Sequence, residues 1–285
     1  MISLSQYLLE SIVKEGGHAV EASPIPSHLA LPMYEEIKNK LILVQKDLTN
    51  KIAVLGSVGK KKLGDFNGDI DIAVEYDRSK FEDVLKKAIP DAEYAKSSMP
   101  NIISINYPFD NQGFTQYGQV DFMIVDDLEW AEFIYSSPNF IEDESRYKAA
   151  LRNHLLSIMI SEIPVDEQPQ YNDAGEIETK WKYSLNFAFG VTKQLLDYRG
   201  KNGLLKNPKK LKEFEQIITK NKKAFIDLLF EKGDDSDFKS LETVWKALHS
   251  KYKYRGKIKD IEYRFFVEVL ERNGLDKDEF LELVK

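Results

Sequence analysis

Two periodicities divide this chain. Between residues 52 and 125 the apolar positions come in short runs or alternate with polar ones, the two-residue repeat of a strand. Elsewhere they recur every three or four positions, the helical repeat. Residues 52–55 form one apolar run. In 69–74, Asp69 and Asp71 alternate with Ile70 and Ile72. Ile103, Ile105 and Tyr107 alternate along 102–107, a weaker strand is expected at 92–96, and 117–125 is strand-like with one acid, Asp121. The turn residues of 109–113 predict a hairpin between the last two strong strands. Helical spacing predicts helices at 3–15, stopped by Gly16 and Gly17, at 32–48 through Met33, Ile37, Leu41 and Val44, and at 79–89 through Phe81, Val84 and Leu85.

Beyond residue 125 the helical repeat dominates. Asp126 and Asp127 open a helix over 128–135, where acids favour the positive helix end. Pro138 breaks it, and 142–163 reads as one long helix. A polar connector over 164–175 places a domain boundary there, giving expected domains 1–165 and 166–285. Residues 177–187 alternate enough for a strand. Helices are expected at 187–198, 208–220, 222–231, 236–251, 258–273 and 276–284. The fold class is therefore α/β: a mixed sheet with flanking helices, then a mostly helical C-terminal domain.

The chemistry concentrates at 54–74, VLGSVGKKKLGDFNGDIDIAV. On a strand Asp69 and Asp71 leave the same face, and two adjacent carboxylates repel unless a cation lies between them. Mg²⁺ takes oxygen ligands and keeps substrate phosphates in its shell. Upstream, Gly56 permits close backbone approach and Ser57 offers a hydroxyl, which together suit a phosphate. If the strand of Asp121 lies beside that of Asp71, three carboxylates converge, enough to hold two Mg²⁺ ions for phosphoryl or nucleotidyl transfer. The alternative is bland: a solvated strand edge for the two aspartates, a helix cap for Gly56 and Ser57, and solvated loop residues for Lys60, Lys61 and Lys62, which otherwise reach phosphates.

This order of apolar strand, Gly-Ser, loop, Asp-x-Asp and later strand Asp resembles the DNA polymerase β-like nucleotidyltransferase superfamily. The resemblance covers mainly residues 52–125, and the separation of Asp71 from Asp121 is similar to that in template-independent members such as CCA-adding enzymes, poly(A) polymerases and oligonucleotide synthases. The second half matches no one member. The resemblance implies Asp69, Asp71 and Asp121 as catalytic metal ligands for two Mg²⁺ ions, with Mn²⁺ able to replace them. It implies an NTP substrate, ATP foremost, and transfer of NMP to an acceptor hydroxyl, an RNA 3′ end foremost, with release of pyrophosphate. In the superfamily the helix after the third acid supplies a Lys or Arg to the triphosphate. Lys148 and Arg152, four apart, fit that role, or else form an ordinary exposed face. The helical domain would close the cleft. Nucleotidylation of a protein or small molecule, as in toxin–antitoxin systems, and a non-catalytic binding protein that reuses the fold remain the alternatives.

Composition narrows these readings. No cysteine occurs among 285 residues, which excludes disulfides, thiol catalysis and thiolate zinc sites and suits the cytoplasm. The four histidines have no ligand spacing. No apolar run approaches the roughly 18 residues of a membrane span, and the first residues read as an amphipathic helix, not a signal peptide. Net charge is −7, unlike a generic nucleic-acid coat. Yet residues 201–264 hold 17 Lys/Arg against 10 Asp/Glu, a local +7 that leaves −14 for the remainder. That asymmetry marks either a surface for a phosphate-rich partner or a set of solvated helix faces. Trp181, Tyr183, Phe187 and Phe189 either stack a base or fill a core.

Overall fold

The alternation of acids and aliphatics at 69–74 does what its period requires: Ile70 and Ile72 are fully buried, while Asp69 and Asp71 keep contact with solvent. In the computed structural model, residues 22–95, 101–186, 190–200 and 203–284 are described. The helix expected at 3–15 and its Gly16-Gly17 stop lie outside them. The chain divides into two units, Met1–Glu144 and Ser145–Lys285. This division falls in the stretch expected as the long helix 142–163, ahead of the connector at 164–175.

The first unit runs β1 (Ile25–Pro26), α1 (Ser27–Val44), β2 (Ile52–Val54), β3 (Phe66–Asn67), β4 (Asp69–Val74), α2 (Arg78–Ala88), β5 (Glu93–Tyr94), β6 (Ile102–Asn111), β7 (Phe114–Ile124) and α3 (Leu128–Ile134). Five strands form a mixed sheet in the order β2-β4-β7-β6-β5. Only β4 and β7 pair in parallel; the other neighbours are antiparallel. A parallel pair needs a long crossover, and here α2, β5 and β6 supply it. The hairpin of β6 and β7 closes on Gln112 and Gly113, with φ of 56° and 84°. Two left-handed residues twist the turn in the sense of the strands, so the strands run to Asn111 and from Phe114, further than the 109–113 turn predicts.

One face of the sheet carries α1 and α2. Their Ile37, Leu41, Phe81 and Leu85 pack with Ile70, Ile72, Ile105, Val120 and Phe122 into the main core. The rings of Phe81 and Phe122 lie 5.3 Å apart at the centre of it. On the other face Leu55, Ala73, Met123, Val125 and Ala131 form a smaller cluster under α3, and the rest of that face is left to the acids. Helix α1 starts five residues before Pro32, inside which the proline lies. The start is set from outside the helix: the Ser27 backbone N–H donates to the Asp65 carbonyl (2.9 Å) and its Oγ to that of Lys62 (2.8 Å). Asp77 and Asp127 cap α2 and α3 by accepting from Lys80 and Trp130 N–H groups.

The second unit runs α4 (Ala149–Ser161), β8 (Gln170–Tyr171), β9 (Ile177–Asn186), β10 (Gly190–Gly200), β11 (Gly203–Thr219), α5 (Lys222–Leu229), α6 (Leu241–Lys251), α7 (Ile258–Arg264) and α8 (Lys277–Val284). Its strands form an antiparallel sheet, β11-β10-β9-β8. Two expected helices are therefore corrected. The described part of 187–198 is β10, and 208–220 is almost wholly β11. Leu211, Phe214 and Ile217 mimic a helical stripe because β11 bulges: it advances from Leu211 to Gln216 while β10 moves only from Leu195 to Lys193. Pairing along β10 overrides a weak local preference. The helix expected over 258–273 does continue past α7, through one π turn (Phe265–Leu270), and stops at left-handed Gly274. Trp245 packs among Phe265, Phe266 and Phe280 in its core. Among the described residues no helix is long and apolar enough to cross a membrane.

Replacing Phe122, 0 % exposed, with alanine is expected to lower the stability of the first unit by about 3–5 kcal/mol, the range for deleting a buried ring. Urea unfolding of Phe122→Ala measures this, and a loss under about 1 kcal/mol would contradict the packing described.

Candidate active site

The parallel register of β4 and β7 sets Asp71 directly opposite Asp121, and Asp69 opposite Gln119. Neighbouring strands lie about 4.8 Å apart, so the acids meet on the face of the sheet opposite α1 and α2. One carboxylate oxygen from each of Asp69, Asp71 and Asp121 lies within 4.8 Å of the others. The convergence expected of the two strands is what the pairing produces.

Such a cluster is electrostatically costly. The Asp71 carboxyl is held well above its ordinary 3.8, first by burial and then by the charges of Asp69 and Asp121. The donor set fits a hard divalent cation. Octahedral Mg²⁺ with oxygens at roughly 2.0–2.1 Å spans about 2.9 Å between adjacent ligands and about 4.1 Å between opposite ones, a small contraction from the spacing here. Three oxygen donors and no nitrogen or sulfur match Mg²⁺ or Mn²⁺ better than a softer ion.

Gly56 lies against this cluster. It follows β2 with φ of +65°, a backbone that β-carbons resist, and a Cβ there would stand 3.5 Å from Asp71 Oδ2. The turn is fixed on both sides: Leu55 N–H donates to the Asp71 carbonyl (2.8 Å), and Gly56 N–H to that of Tyr135 (3.2 Å). Ser57 follows, half-buried, its Oγ donating to Asn67 Oδ1 at 3.3 Å. Gly56 is thus on the acid side of the sheet, with Ser57 next to it in sequence.

The three loop lysines are structural ties. Lys60 donates to the Ser137 carbonyl (3.0 Å) and Lys61 to that of Phe66 (2.7 Å), while Lys62 pairs with Asp143 (2.6 Å). The bonds of Lys60 and Lys62 tie the loop to the chain after α3, and that of Lys61 closes the loop on itself.

Lys148 and Arg152 belong to the second unit and do not share a helical face. Helix α4 begins at Ala149, so Lys148 is its N-cap, extended and exposed. Arg152 is 1 % exposed, and its guanidinium donates to Asn153 Oδ1 and the Phe238 carbonyl (3.0 Å). Burial lowers its pKa to about 10. The spacing of four misleads because the helix starts seven residues later than the pattern suggests. Of the aromatic group, Trp181 meets Lys193 (5.1 Å to the ring) and the edge of Phe214; Phe187 and Phe189 lie outside the described residues.

Two site residues have no signal in the sequence. Tyr135 ends α3, and its phenol is pushed up to about 12 by burial and by the charge of Asp71. A lone tyrosine after a helix has no spacing to betray it. Gln119 donates Nε2 to both oxygens of Asp121, at 3.1 and 3.0 Å. It stands two residues before the third acid, and only the strand period could have placed it there.

No family model matches the chain, and no curated protein matches it. Two solved structures of the poly(U) polymerase Cid1 are similar to part of it: one with Mg and 3′-dATP bound, at 12% identity, covering 54% of this chain and 45% of that one, and one with its short product ApU, at 13% identity, covering 54% and 44%. Both have a TM-score of 0.27. The chain thus matches less than half the length of either structure, and a score that low carries neither fold nor function across.

The raised Asp71 carboxyl makes a pH prediction for protein stripped of divalent cations. The folded state binds this proton more tightly than the unfolded one, so stability is greater at low pH and falls as pH rises from near 3.8 through the elevated folded value. Asp71→Asn removes the penalty. Its melting temperature at pH 7.5 should exceed that of the parent, and the gap should close near pH 4. A mutant that melts lower at pH 7.5 would contradict the assigned repulsion.

Proposed function

We propose that the chain is a metal-dependent nucleotidyltransferase that moves an NMP from an NTP to an acceptor hydroxyl, independent of a template. The observation that supports it is the register of Asp71 against Asp121, which gathers three carboxylates beside the Gly56 turn. Asp69, Asp71 and Asp121 hold the divalent cations, two Mg²⁺ or Mn²⁺ in this reading. When bound, these acidify the attacking hydroxyl and neutralise charge on the phosphates.

The protein groups take the remaining roles. The Gly56 backbone and the Ser57 hydroxyl hold the β- and γ-phosphates, so the α-phosphorus is presented to the acid face. The acceptor oxygen forms a bond to the α-phosphorus as the bond from that phosphorus to the α,β-bridging oxygen breaks. Pyrophosphate departs with that electron pair, and the hydroxyl proton passes toward the Asp121 carboxylate. Residues 22–144 thereby form the catalytic part. Within the second unit, Lys148 is exposed at the start of α4 and Arg152 ties α4 to Phe238. ATP is the proposed donor. An RNA 3′ end is the proposed acceptor, favoured by the +7 segment 201–264 within the second unit.

The test uses each NTP in turn, radiolabelled at the α-phosphate, with Mg²⁺ and total RNA or cell lysate, resolved on a gel. Label in nuclease-sensitive bands is expected. Asp69→Ala and Asp71→Ala should each lower incorporation by at least about 10²-fold, the scale for losing one group that stabilises transition-state charge, without unfolding the protein. Label in protease-sensitive bands would replace RNA with a protein acceptor. Full activity in either mutant would overturn the metal assignment.

A further inference from the structure

Gln119 sits two residues before Asp121 on β7, so both side chains leave the acid face of the sheet. It is 4 % exposed, and most buried side-chain amides are hydrogen-bonded. Its Nε2 reaches both Asp121 oxygens, Oδ1 at 3.1 Å and Oδ2 at 3.0 Å. An ionised carboxylate only accepts, so the amide nitrogen and not its oxygen must face it.

The strands around Gln119 leave it little freedom. In register, Gln119 is flanked by Asp69 on β4 and by Asn106 on β6. Asn106 is itself buried, and its Nδ2 donates to Glu93 Oε2 on β5 (3.3 Å). A polar row thus crosses four strands from Asp69 to Glu93. The backbone is clamped as well: at Gly118 a Cβ would meet two carbons of Ile25 at 2.6 Å, so β1 lies hard against β7 just before Gln119.

We propose that Gln119 is a positioning residue. Its amide bridges the two oxygens of Asp121, fixes the rotation of that carboxylate toward Asp69 and Asp71, and so sets the affinity of the three acids for a divalent cation. The inference rests on the metal-dependent reading above. Outer groups that orient a ligand commonly change metal affinity by about 10–100-fold when removed.

The experiment is a Mn²⁺ titration of the full chain, following loss of the aqueous ion's paramagnetic resonance signal, with melting curves in parallel. The variants are Gln119→Met, Asp121→Ala and the double mutant; Gln119→Leu serves if the Met variant does not fold. Gln119→Met should weaken Mn²⁺ binding about 10–100-fold with its melting curve preserved. In the Asp121→Ala background, where Asp69 and Asp71 retain weaker binding, the same change should add less than about twofold, because Gln119 has no carboxylate left to orient. Equal affinity in parent and Gln119→Met overturns the inference and leaves the metal reading standing. So does a full additive loss in the double mutant, the mark of a side chain that only fills space. A parent protein that binds no Mn²⁺ overturns the metal reading, and this inference with it.

Discussion

The parallel pairing of β4 with β7 is the constraint on which the first unit depends. It brings Asp71 and Asp121 together, and the same register sends Ile70, Ile72, Val120 and Phe122 into the opposite core. The strand period couples these outcomes. A slip of one residue would bury the aspartates among aliphatics and expose the isoleucines. The core therefore guards the alignment of the acids, and the penalty of ionised carboxylates in the interior makes the wrong register worse still.

Against that stands a local penalty. Three carboxylates share one patch, and the proton affinity of Asp71 records the strain. The surroundings hold them in place all the same. The Gly56 turn is bonded to the backbones of Asp71 and Tyr135, and Gln119 grips Asp121 from its own strand. Helices α1 and α2 pack on the far face, and Asp69, Asp71 and Asp121 are half-buried on this one. A site built this way is complementary to positive charge before any arrives.

Much of the first unit was legible in the sequence because its signals are short-range. Alternation fixed the faces of β4, and the turn residues announced the hairpin that brings β7 beside its neighbours. Asp-x-Asp and the Gly-Ser turn marked the residues that the structure brings together around Asp71. Pro32 has the look of a first helical residue in the sequence, whereas α1 begins where Ser27 is tied to a loop some thirty-five residues on. The second unit was harder. In β11 the bulges against β10 imitate helical spacing, and only the partner strand distinguishes the two. The burial of Arg152 is hidden from the sequence for the same reason: its guanidinium donates to the Phe238 carbonyl, far along the chain. Tyr135 and Gln119 carry no motif, since what they touch comes from other strands or from an i+2 neighbour.

The parallel pair also has a consequence for how the chain is made. β7 is the central strand, and it leaves the ribosome after every other strand of its sheet. Until it is released, β2 with β4 and β5 with β6 are separate fragments, each with a naked hydrogen-bonding edge. The nascent chain thus carries its first two aspartates without their third companion, and acquires its charge conflict in one late insertion. A product cut short before Phe114 would lack the central strand and the third acid, and would be left with edges open to aggregation.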